Sequence, residues 1–95
     1  MEFEQLRQLD AIARTGTISA AAAALHTSQP SVSRSMRALE HELGCELFER
    51  TRNHVELNEA GRLALRHARA ILAEERRMRD AFAELTLTNR TLAIA

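Results

Sequence analysis

The sequence predicts a mainly α fold: three short helices, a two-stranded β hairpin and then one long helix. Apolar residues recur at helical spacing in window after window, broken by glycines and short polar turns. The period changes once, over residues 47–57, where alternation replaces it. Aromatic residues make up only 3% of a chain that is 45% hydrophobic, so the interior must be Leu, Ile, Val, Met and much alanine. Alanine favours helix and lets helices approach closely. Ninety-five residues suffice for one small domain.

The first helix is expected over residues 3–13, where Phe3, Leu6, Leu9, Ile12 and Ala13 fall on one face. Thr15 and Gly16 end it, and Thr17 offers a capping hydroxyl to the next. The second helix covers residues 18–25, with Ile18, Ala21, Ala22 and Leu25 inward; the small pair allows a close crossing. His26, Thr27 and Ser28 form a polar turn, with Ser28 placed as an N-cap and Pro30 in the first turn, where a missing N–H is harmless. In the third helix, Gln29–Leu43, residues Val32, Met36, Leu39 and Leu43 line one face. Pro30, Arg34, Arg37 and His41 lie opposite, flanked by Gln29, Ser31 and Ser33, and Gly44 stops the helix. Phe48–Thr51 and His54–Leu57 then read as strands joined through Arg52 and Asn53, with Val55 and Leu57 sharing a face. Asn58 caps the long helix, Glu59 supplies an acid to its first turn, and the pattern runs without a breaker to about Leu85. Residues 91–95 turn apolar and β-like after a polar stretch, as expected of the first strand of a further domain.

Several classes of function fall away. No apolar run approaches the roughly 20 residues of a membrane span and no signal peptide opens the chain, so a cytoplasmic protein is expected. Cys45 is the single cysteine, which excludes an intrachain disulfide and a Cys-rich zinc site. His26, His41, His54 and His67 are scattered and make no ligand set, and the three glycines fall singly rather than in a phosphate loop. Neither a metal, a cofactor nor catalysis is expected. Net charge is zero, with 13 basic and 13 acidic residues, whereas nucleic-acid binders are usually basic. The 13 basic residues are all Arg, however, the better partner for phosphate and guanine.

Two helices joined by a tight turn, the second with one apolar and one hydrogen-bonding face, present a helix to the major groove of duplex DNA. A hairpin following that helix is a wing, which makes the predicted fold a winged helix-turn-helix. Gln29 can pair with an adenine edge, Ser33 can contact either kind of base, and Pro30 can meet a thymine methyl. Arg34 can read guanine or grip a phosphate. Thr27, Ser28 and Ser31 would anchor phosphates near the positive end of the helix dipole. Arg37 has two readings, a DNA contact or a partner for Glu40 or the other neighbours of His41. Arg50, Arg52 and Asn53 would reach the minor groove or its backbone, unless Arg50 instead braces the hairpin against the third helix. Ala64, Ala68, Ile71, Met78, Phe82 and Leu85 form a seam along the long helix that suits a partner helix. The arginines from residue 62 onward are read as a solvated face, and Cys45 as a packing residue.

Many of these residues recur together in one family. Leu6 and Leu9, Gly16 to Ile18, Ala21, Ala22 and Leu25, Ser28 to Pro30, Ser33, Arg34, Leu39, Glu40, Leu43, Gly44, Leu47, Phe48, Arg50, Leu57, Ala60 and Gly61 form a spaced pattern. It closely resembles the N-terminal region of LysR-type transcriptional regulators, over roughly residues 1–85. Leu9 and Ile18 stand where that family usually carries Phe, and Asn58 where it carries Thr. The resemblance implies a winged helix-turn-helix over residues 1–58 and a linker helix over 59–88 that pairs two subunits. Residues 89–95 would start a truncated effector-binding domain, to which any small-molecule effector would belong. The expected function is sequence-specific binding of double-stranded DNA at an inverted-repeat operator by a homodimer. A competing class is a helical protein-interaction module using the 64–85 seam, for which zero net charge is the best support.

Overall fold

The computed structural model describes residues 1–51 and 54–94, with side chains described through residue 89. Its elements are α1 (Phe3–Thr15), α2 (Ile18–Ala24), α3 (Gln29–Leu43), β1 (Phe48–Thr51), β2 (His54–Leu57) and α4 (Glu59–Ile94). The third helix and both strands begin and end where the sequence patterns predict. Local chemistry explains why. Thr17 Oγ1 accepts from the Ala20 N–H at 3.0 Å and starts α2. Ser28 does the same for α3, accepting from the Ser31 N–H at 3.2 Å. Gly44, at φ 78°, takes the left-handed turn that lets its own N–H and that of Cys45 return to the Glu40 carbonyl.

The core forms where α1, α2 and α3 meet and the start of α4 closes over them. Leu9, Ile12, Val32, Met36 and Leu39 are buried there, with Ala21 and Ala22 supplying the close crossing of α2. β1 and β2 pair antiparallel, with Phe48 opposite Leu57 and Arg50 opposite Val55. Phe48 is buried, and Val55 and Leu57 pack against the same core. The hairpin is therefore seated on the domain rather than projecting freely from its base. This is a winged helix-turn-helix followed by a long helix.

Four features were not anticipated from the sequence pattern. Phe3 and Leu43 are exposed at the ends of their helices, beyond the reach of the packed layers. Gln8 is buried at 5% exposure, with its Oε1 unpartnered among the described residues. The backbone expected to turn β-like from residue 91 continues as α4 to Ile94. A strand needs a paired edge for its N–H and C=O groups, and no neighbouring strand lies there among the described residues, so the helix satisfies them internally. Finally, Ala68 is 1% exposed and belongs to the subunit's own core, with Ala64 half-buried beside it. The first turns of α4 lie on α1, so these two seam positions face inward.

α4 has 36 residues and gives the molecule an elongated outline of 63 × 25 × 19 Å. Ion pairs also tie it to α1: Asp10 with Arg69 at 2.8 Å, and Arg7 with Glu75 at 3.5 Å. Partial burial pushes the Asp10 carboxyl up, but hydrogen bonds from Arg69 and Arg14 outweigh it and hold its pKa below the ordinary value. Beyond α1 the helix carries exposed Met78, Phe82 and Leu85. Among the described residues no helix is long and apolar enough to cross a membrane.

Candidate nucleic-acid interface

The apolar face of α3 is closed over most of its length, since Val32, Met36 and Leu39 are each at 0% exposure and Leu43 at its end is open. Helical geometry then forces the intervening positions outward. Gln29, Pro30, Arg34 and Arg37 are exposed and Ser31 and Ser33 half-exposed, on one continuous surface. The helix tip is capped and carries an N–H that is free among the described residues. Ser28 Oγ accepts from the Ser31 N–H while donating to Ser31 Oγ at 2.8 Å, and the Val32 N–H returns to the Ser28 carbonyl. Pro30 has no N–H, which leaves that of Gln29 at the tip, without a partner among the described residues. The positive end of the helix dipole points the same way.

The turn before the tip is unusual. His26 sits at φ 56°, the left-handed region, with its N–H on Ala23 O at 3.2 Å and that of Thr27 on Ala22 O at 3.0 Å. Histidine is among the few residues enriched there without glycine. This tight reversal brings Thr27, half-buried, and Ser28 to the start of α3. Ser28 is thus a helix cap in the free protein, whatever else it meets.

The arginines divide into two groups. Arg34 and Arg37 form no ion pair among the described residues, so the Arg37–Glu40 pairing considered from sequence is not formed. Arg50 lies on the inward face of β1, the face of Phe48, and its Nη2 stands 3.5 Å from Glu40 Oε1. The bracing role for Arg50 is the one the free protein displays. Arg52 and Asn53 lie outside the described residues.

Sequence reasoning passed over Glu40 as anything but a possible partner for Arg37. Its other carboxylate oxygen accepts from the Leu47 N–H at 2.8 Å, tying the start of the hairpin to α3. The signal was present: it is the first acid after Asp10 in the chain, and it sits next to the core position Leu39.

On the long helix, the expected seam splits. Ala64 and Ala68 are taken up inside the subunit, whereas Ile71, Met78, Phe82 and Leu85 are between 41% and 62% exposed. Phe3, displaced outward from α1, joins Ile71, Met78 and Phe82 in one open apolar groove.

Comparison with known proteins places this geometry. The transcriptional regulator ClcR of Pseudomonas putida is 53% identical over 72 residues, which cover 76% of this chain and 24% of that one. The crystal structure of a CbnR DBD–DNA complex superimposes with a TM-score of 0.86 at 43% identity, covering 90% of this chain and 99% of the other. Full-length CbnR complexed with target DNA matches with a TM-score of 0.83 at 44% identity, over 87% of this chain and 29% of that one. The chain spans about a quarter of the length of the curated relatives it matches. Residues 3–62 match the family described as bacterial regulatory helix-turn-helix proteins of the lysR type. With that match covering more than half its length, the chain belongs to the lysR family of bacterial regulatory helix-turn-helix proteins.

Proposed function

We propose that this chain is the sequence-reading part of a cytoplasmic transcriptional regulator, two copies of which pair through α4 to bind an inverted repeat in duplex DNA. The observation that carries it is the outer surface of α3: Gln29, Ser33, Arg34 and Arg37 are accessible and unpaired while the opposite face is closed core. The CbnR DBD, 43% identical, was solved on DNA, and the same use is carried over here. In this reading Gln29 and Ser33 contact base edges, Pro30 packs on a thymine methyl, and Arg34 spans base and phosphate. Thr27, Ser28, Ser31 and Arg37 hold the backbone. Arg52 and Asn53 contact the minor groove or its backbone, and Arg50 stays at Glu40 beside the hairpin. Ile71, Met78, Phe82 and Leu85 form the pairing surface. The small-molecule effector is assigned to a domain outside this chain.

The test is selection of bound oligonucleotides from a random pool, followed by affinity measurements on the winner. An inverted repeat should emerge, and Gln29→Ala should reduce discrimination between it and random DNA by about 1–3 kcal/mol. A pool that never converges, or a Gln29→Ala variant with unchanged discrimination, would refute the assignment.

A further inference from the structure

The peptide unit joining Glu46 to Leu47 is gripped on both of its edges. Its N–H edge donates to Glu40 Oε2 of α3 at 2.8 Å, and the Glu40 side chain is only 14% exposed. Its C=O edge accepts from Asn58 Nδ2, at the start of α4, at 2.9 Å. The same Asn58 amide turns its Oδ1 to the Gly61 N–H at 2.8 Å, capping α4. The Asn58 backbone N–H adds a bond to the Leu47 carbonyl at 3.0 Å, and the Leu47 side chain is anchored in the core at 1% exposure. One planar group, which cannot twist, therefore links the surface-reading helix to the long helix.

Resting on the reading above, we propose that Asn58 and Glu40 are positioning residues. By clamping the Glu46–Leu47 peptide they lock the heading of α4 against α3, and so set which spacing of DNA half-sites a paired protein accepts. The lever is long. From the cap to Phe82 is about 35 Å at 1.5 Å per residue, so a tilt of roughly 5° moves Phe82 by about 3 Å, close to one base-pair step. The ion pairs from Asp10 and Arg7 to α4 also restrain it, but they run through exposed, flexible arginines. The peptide clamp is short and lies at the fulcrum.

Asn58→Asp tests the clamp without removing the cap. Aspartate still accepts from the Gly61 N–H and suits a helix start, yet it has no donor for the Glu46 carbonyl. The full 95-residue chain is titrated against the selected repeat, against repeats respaced by one or two base pairs, and against a single half-site. The expected result is unchanged binding to the single half-site and a preference for the native spacing that falls about fivefold, the factor of one hydrogen bond. Glu40→Gln keeps an acceptor for Leu47 and should retain the preference, whereas Glu40→Ala should lose it. A full preference in Asn58→Asp overturns the inference and leaves the DNA-binding reading intact; so does a loss equally large on the single half-site. A wild-type chain that binds a half-site but ignores spacing overturns the inference together with the paired reading.

Discussion

Replacing Gly61 with alanine sets two physical effects against each other, and the structure decides the sign. Gly61 lies in the first turn of a long helix, where propensity alone says that alanine should stabilise by up to about 1 kcal/mol. A Cβ built there, however, stands 2.1 Å from the Leu47 carbonyl oxygen, 2.8 Å from Leu57 Cδ2 and 3.1 Å from the Leu47 carbonyl carbon. The first distance falls roughly 1.2 Å short of ordinary C···O contact. Leu57 can rotate away, but the Leu47 oxygen cannot, because the Asn58 N–H holds it at 3.0 Å and its side chain is buried. Overpacking of this kind costs about 1–3 kcal/mol, and loss of the Asn58–Leu47 bond adds about 1 kcal/mol. After the propensity gain, a net loss of about 1–3 kcal/mol remains, or a fall in Tm of roughly 5–20 °C for a domain of this size. Thermal melts followed by far-ultraviolet circular dichroism measure it directly. A Gly61→Ala variant that melts at or above the wild-type temperature would show that α4 does not seat on Leu47 as described.

Gln8→Leu should leave stability unchanged or raise it by up to about 1 kcal/mol in denaturant titrations, since it removes a buried, unpartnered carbonyl oxygen; a loss above about 2 kcal/mol would mean that this amide makes a bond. Phe82→Asp places a charge at the centre of the exposed apolar stripe and should convert a dimer to a monomer in light scattering with Tm of the winged domain unaffected; persistence of the dimer would remove α4 as the pairing surface. Asp10→Asn should destabilise by under about 1 kcal/mol at neutral pH, the scale of partly exposed pairs. Because the folded pKa of Asp10 lies below its ordinary value of 3.8, the gap between variant and wild type should be full above that pH and close as pH falls below it. A gap that is constant across that range would show that the Arg14 and Arg69 bonds contribute nothing.

The helices and the hairpin were legible because their signals are local. Caps, a left-handed glycine and a change of apolar period each act within four or five residues, and Thr17, Ser28, Gly44 and Asn58 all perform as their chemistry predicts. Periodicity, by contrast, identifies a face without naming what covers it. The stripe from Ala64 to Leu85 is one pattern in sequence, yet α1 covers Ala68 while Met78 and Phe82 stand open, a division visible only once α1 is placed. Gln8 is hidden for a related reason, since an amide beside Arg7 and close to Asp10 reads as surface until the fold closes over it. Residues 91–94 follow the helix that precedes them, because extending an existing helix requires no new nucleation. Glu40 and Asn58 illustrate the same limit at the site. Each shows a clear local role, in α3 and at a helix cap, while their joint hold on one peptide depends on the fold.

Zero net charge, the strongest objection to DNA binding in the sequence, loses its force once the charges are placed. Glu4, Asp10, Glu40, Glu74 and Glu75 each lie against an arginine, and Glu42 against the N-terminal amine, so six of the 13 acids are paired within the fold. No acid occurs in α3 before Glu40, and the half of the helix that would enter a groove carries Arg34, Arg37 and the positive dipole end. With a screening length of about 8 Å at physiological salt, a phosphate at the helix tip feels that half of α3 and little of the distant acids. Neutrality therefore limits the long-range attraction to DNA but not the local contact. The consequence is a modest salt dependence: Arg34 and Arg37 correspond to roughly two phosphates per subunit, a logarithmic slope near −2 for a monomer bound to a half-site. A slope near zero with affinity retained would mean that Arg34 and Arg37 meet no phosphate, and the groove-reading surface would then have to lie elsewhere.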